Sequence, residues 1–361
     1  MQTLFTRPLL LKEAKALLFL AGPIIANGLL ESSYSFTNAF MAAQLGITEL
    51  AVNALVSLLF FTLMVIFWGV ISATSIIISH YHGAEDTPAI RGVARDSLWL
   101  SIMMSIPIML LLWFASDIFL WTGQSIFVVH AAEKYLHALT WAVPSDLLGF
   151  VLMQFFQGIS RPRIVFIITL AYIPLLITTN YILIFGKLGF PALGLAGIGW
   201  GVTFVYTLVL ICLGLYIWSK PFYRKYFNFH EARSQTRYFR ELLHVGVPLG
   251  GMFSIEIGCF LIVAVFMGKI SDVALAANQI IMQFLWVTIN VVFSIGQAVS
   301  IRIGWRLGRQ EPQWVLPLSW LGQSMSFIYM LIIALIYWLF PKYLIALDLS
   351  NHLDPTVADL T

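Results

Sequence analysis

Three carboxylates, Glu31, Asp146 and Glu256, each stand inside a long run of apolar residues. A charge at bilayer depth costs about 2.5–3.5 kcal/mol on insertion scales. A chain keeps such a residue where it faces a polar cavity, holds an ion or sits protonated. Two carboxylates brought close, with neutral oxygens around them, suit Na+ or a shared proton, because neighbouring charges disfavour double ionisation. The chemistry they offer is therefore reversible cation binding. Glu31 and Asn38 are seven residues apart, hence on one helix face, and Tyr34 between them can add an oxygen. No histidine–aspartate or serine motif shares a depth with these groups, so an enzyme is not expected.

The elements that carry them follow from composition. Apolar residues make up 60% of the 361, charged residues 10%, and the mean hydropathy is +0.89. Soluble domains average nearer 45–50% apolar and about 25% charged, so the fold class is an all-α polytopic membrane protein. At about 20 residues per span, nine spans are expected. They cover about 16–42, 50–80, 96–121, 134–157, 164–186, 194–218, 241–268, 273–301 and 315–340. The net charge of +3 gives no nucleic-acid patch, because the basic residues lie in short loops. Cys212 and Cys259 read as small buried hydrophobes, and no cofactor is expected. His80, His82 and His230 show no metal-ligand spacing, and Phe60, Phe61, Phe67 and Trp68 read as lipid-facing or core. No cleavable signal is expected at the N-terminus, where Arg7, Lys12 and Lys15 precede the first span.

Orientation follows from lysine and arginine. With the N-terminus inside, 16 of the 20 basic residues fall in inner segments, and only Lys134, Lys187, Lys269 and Lys342 fall outside. The positive-inside rule then predicts a cytoplasmic N-terminus.

The chain also repeats itself. At an offset of 225, Pro23 falls on Pro248, Glu31 on Glu256, and Ala73, Ser75, Ile76, Ile78 and Gly83 on Ala298, Ser300, Ile301, Ile303 and Gly308. Trp113 falls on Trp338, and a small gap is expected near Gly46 and Gly268. Residues 1–225 then form a six-helix lobe and 226–361 a partial second lobe of three helices. A unit with an even number of spans keeps one orientation, so a pseudo-twofold along the membrane normal is expected. By the same offset, three further helices belong beyond residue 361, reached through DLSNHLDPTVADLT. About nine of twelve helices would thus be present, the rest missing or supplied by a partner.

Several stretches resemble the multidrug and toxic compound extrusion (MATE) transporters, NorM branch. They are VGVPLGGMFSIEIGCFLIVAVFMGKISDVALAANQI, SIGQAVSIRIGWRLGR, QGISRPRIVFII, TTNYILIFGKLGFPALGLAGIGWGVTFVY and FTNAFMAAQLG. The resemblance implies a V-shaped pair of lobes in the bacterial inner membrane. It also implies export of hydrophobic, usually cationic small molecules against an inward flow of Na+ or H+. It assigns cation coupling to Glu256, whose usual aspartate partner would lie beyond residue 361. The family's first-helix aspartate falls on Asn38, while Asn180 and Thr203 match polar positions near that site and Leu176 replaces another. Asp146 stands 12 residues before Gly158, as the missing aspartate stands before its own glycine. Glu31 and Asp146, supported by Asn38, Tyr34, Asn180 and Thr203, are therefore expected to form a relocated cation site in the first lobe. A split or inactive fragment and a lipid-linked oligosaccharide flippase are the alternatives.

Overall fold

The computed structural model describes residues 7–121, 126–229, 236–270 and 272–339, and every regular element among them is helical. Two long helices open the chain, α1 (Arg7–Leu45) and α2 (Ile47–Gly83). Next come α3 (Thr87–Trp113), α4 (Ala115–Trp121), α5 (Ile126–Thr140) and α6 (Ala142–Gly158). α7 (Pro162–Phe185), α8 (Leu195–Ser219) and the single turn α9 (Pro221–Arg224) complete the first half. The second half holds α10 (Thr236–Ile270), α11 (Asp272–Gly308) and α12 (Val315–Leu339). Eight helices are long and apolar enough to cross a bilayer, and α5 with α6 makes a ninth span. Helices are what such a solvent permits, since hydrocarbon offers the backbone no hydrogen-bond partner. His230, Arg233, Lys342 and the closing stretch 348–361 lie outside the described residues.

Two spans depart from expectation. The fourth is bent by 43° between α5 and α6. Pro144 supplies the cause: it has no N–H, and its ring displaces the carbonyl four residues back, at Thr140, where α5 ends. The third is divided at Phe114 into α3 and α4. The cysteines were expected to be buried, but Cys212 and Cys259 are both exposed and free. Lipid tails are as apolar as a protein interior, so an apolar position need not turn inward.

The repeat extends to the backbone itself. α1 ends at Leu45 and α10 at Ile270, and α2 and α11 are both 37 residues long with bounds 225 apart. No gap is needed near Gly46 and Gly268. Glu85 and Gln310, 225 apart, adopt left-handed φ of 57° and 60° in the turns that follow α2 and α11.

α2 and α11 cross along the pseudo-twofold. A Cβ on Gly83 would strike the Trp305 carbonyl, and one on Gly308 would strike the His80 carbonyl. Because 80 and 305 are themselves 225 apart, these are one contact seen from either half. Only glycine lets the two backbones approach so closely. Beside this seam, Leu20, Ala21 and Ile24 of α1 pack on Ile295, Ala298 and Ile301 of α11. Near the Gly83 end, Arg302 donates to the buried Glu13 carboxylate at 2.8 and 2.9 Å, and Arg306 donates to it as well. The main core lies in the first half, around Leu147, Phe155 and Phe156 of α6.

Candidate functional site

The bend places Asp146, two residues after Pro144, in the first turns of the redirected helix α6. Glu31 approaches from α1, close enough for its charge to act on Asp146. Each has its own donors. Asn27, one turn before Glu31, donates to Glu31 Oε1 at 3.0 Å, and the Tyr172 hydroxyl of α7 donates to the same oxygen at 3.4 Å. Trp68 Nε1 of α2 donates to Asp146 Oδ2 at 2.9 Å. Tyr206 of α8 stands near both carboxylates, and Thr169 donates to Asn27 Oδ1. The Glu31 side chain is exposed, and Asp146 is half-buried.

Of the residues expected from sequence, Tyr34 and Asn180 meet each other: Asn180 Nδ2 donates to the Tyr34 hydroxyl at 3.1 Å. Asn38 is buried further along α1, beside the Tyr135 hydroxyl. The side-chain oxygens of both Asn38 and Asn180 are buried without a hydrogen-bond partner among the described residues. Thr203 does not join. Its hydroxyl donates to the Ala138 carbonyl at 2.8 Å, which ties α8 to α5. Glu256 is half-buried on α10 and has no hydrogen-bond or ion-pair partner among the described residues.

Sequence reasoning missed Asn27, Tyr172, Tyr206 and Trp68. The Asn27–Glu31 pair carried a signal, being four residues apart on one face. Trp68 was expected to be lipid-facing or core, but the indole N–H is a donor only and its acceptor is Asp146. The two carboxylates thus gather at least three donors, while none of the hydrogen bonds to them comes from lysine or arginine.

The MatE family profile matches residues 23–182 and then residues 248–351, two stretches that begin at the paired prolines. The chain belongs to the MatE family. As a MATE protein it is a membrane transporter and not an enzyme. It is 33% identical over 342 residues to a probable multidrug resistance protein NorM of Pseudomonas aeruginosa, covering 94% of this chain and 70% of that one. It is 31% identical over 354 residues to a probable NorM of Mesorhizobium japonicum, covering 97% of this chain and 76% of the relative. Among solved structures, the eukaryotic MATE transporter AtDTX14 superposes with a TM-score of 0.85 at 19% identity, over 97% of this chain and 77% of that one. A MOP superfamily transporter from Pyrococcus furiosus gives 0.85 at 17% identity, over 96% and 76%. The two-lobe MATE architecture is shared with these structures.

Proposed function

We propose that this MATE protein exports hydrophobic, cationic small molecules in exchange for inward Na+ or H+. We further propose that the exchanged cation binds between Glu31 and Asp146. The observation that carries the reading is the convergence of these two carboxylates in the first half, held by neutral donors and by no lysine or arginine among the described residues. A buried charge without a counter-ion is costly, so the empty pair favours taking up a cation or a proton. The Tyr34 hydroxyl, held by Asn180 Nδ2, supplies a further oxygen one turn along α1 from Glu31. Glu256 is a second candidate for the same role in the second lobe. The printed names of the NorM relatives support drug export. We assign residues 1–225 and 226–361 to the two lobes and the N-terminus to the cytoplasmic side of the bacterial inner membrane, on the basis of the basic residues.

Proteoliposomes holding the 361-residue chain and loaded with a fluorescent cationic dye test this. An imposed Na+ or pH gradient should drive dye movement, and Glu31→Gln with Asp146→Asn should abolish the gradient dependence. Gradient-driven transport by the double variant at the wild-type rate would remove the site from the mechanism.

A further inference from the structure

Trp68 links the carboxylate pair to the seam between the halves. Its N–H is held by Asp146, and its ring meets Phe61 edge to face at 6.2 Å between centroids. Phe61 and Trp68 are seven apart and share one face of α2. Phe61 in turn meets Trp286 of α11 edge to face at 5.9 Å, and Trp286 meets Phe260 of α10 at 5.3 Å. Positions 61 and 286 are 225 apart, so the Phe61–Trp286 contact lies on the pseudo-twofold, where a shift in one half presses directly on the other. Phe150 of α6 braces Trp68 at 6.2 Å. The equivalent of Trp68 in the second half is Phe293, which packs on Phe253 at 5.5 Å and has no N–H to give.

We propose that Trp68 is a positioning residue that transmits cation occupancy at Asp146, through Phe61, to the aromatic contact with Trp286 and Phe260 in the second half. This rests on the reading of Glu31 and Asp146 as the cation site. A hydrogen bond to an ionised carboxylate is roughly twice as strong as one to a neutral group. When the Asp146 charge is neutralised by a proton or shared with Na+, the indole is held less firmly. Its ring is then free to turn against Phe61. The titratable groups facing Asp146 are Glu31 from α1, Tyr172 from α7 and Tyr206 from α8, while α2 contributes the non-titrating Trp68.

The test uses the full chain in lipid nanodiscs with tetraphenylphosphonium as the probe. Its Kd is measured with and without NaCl, and at an acidic and an alkaline pH. The readout is the ratio of Kd values, not the affinity. Wild type is expected to change its Kd by roughly tenfold with one of the two cations, a usual size for coupling between sites. Trp68→Phe keeps an aromatic side chain but removes the N–H donor together with the fused second ring, and its ratio should fall to near one. Phe61→Leu, which leaves the Asp146 hydrogen bond intact, should reduce the ratio as well. A wild-type ratio in Trp68→Phe overturns the proposal, and a wild-type ratio in Phe61→Leu alone overturns the route across the seam. A wild-type protein whose Kd ignores both cations overturns this inference together with the cation-site reading. A coupled wild type with a coupled Trp68→Phe overturns this inference alone.

Discussion

Glu31 and Glu256 occupy the same position in the two halves, yet their surroundings differ. Glu31 has Asn27 one turn behind it; the residue one turn behind Glu256 is Met252. Glu31 faces Asp146 and Tyr172, whereas Glu256 has no polar partner among the described residues. The same divergence marks the end of the bundle near Gly83. Glu13 and Arg306 of the α1–α11 contact correspond to Tyr238 and Tyr81 of the α2–α10 contact. One is a buried ion pair; the other is an edge-to-face ring pair at 5.9 Å, with Tyr81 donating to Glu241 at 3.0 Å. The repeat conserved geometry and let chemistry drift, so each half has its own task at equivalent points.

The comparison breaks first at the carboxylates. If the first half carries cation coupling, Glu31→Gln with Asp146→Asn should lower gradient-driven dye export by at least roughly tenfold, and Glu256→Gln by less. Equal losses in transport assays would erase the distinction. Next in size is the ion pair. Glu13→Gln leaves Arg302 and Arg306 without their shared anion and should destabilise the fold by about 3 kcal/mol in thermal unfolding. Tyr81→Phe, at the position equivalent to Arg306, removes one neutral donor to Glu241 and should cost about 1 kcal/mol by the same measurement. At the seam, Gly83→Ala and Gly308→Ala should each cost about 1–3 kcal/mol, since backbone carbonyls leave no room for a methyl group. Unequal costs would show that the crossing is less symmetric than its geometry. The smallest effect belongs to Asn27→Leu, which removes one hydrogen bond from Glu31 and should shift the concentration of cation giving half-maximal export by a fewfold, at about 1 kcal/mol or less.

Most of the architecture was legible because lipid leaves so few options. Apolar runs of spanning length became helices, and the offset of 225 reappears in the bounds of α2 and α11 without the gap expected near Gly46 and Gly268. The bend at Trp141 was written in Pro144, but a span count does not register it. In the site, Glu31 and Asp146 were visible as charges out of place and were expected to pair; what the structure adds is their neutral donors, Asn27, Tyr172 and Trp68. Trp68 was hidden because an aromatic ring in a membrane helix is ordinary until its N–H finds an acceptor on another helix. Thr203 shows the converse: a hydroxyl can satisfy itself on a nearby carbonyl, here Ala138.

The glycine seam has a mechanical consequence. Where Gly83 and Gly308 seat carbonyls of the opposite helix in the notches left by absent side chains, a slide of α2 along α11 would have to lift those carbonyls out of the notches. A pivot about the contact would not. A helix of 37 residues is about 55 Å long at 1.5 Å per residue. A fulcrum at one end of such a lever arm turns a tilt of about 10° into a sweep of roughly 10 Å at the other. The fold thus carries its gearing in two residues that have no side chain at all.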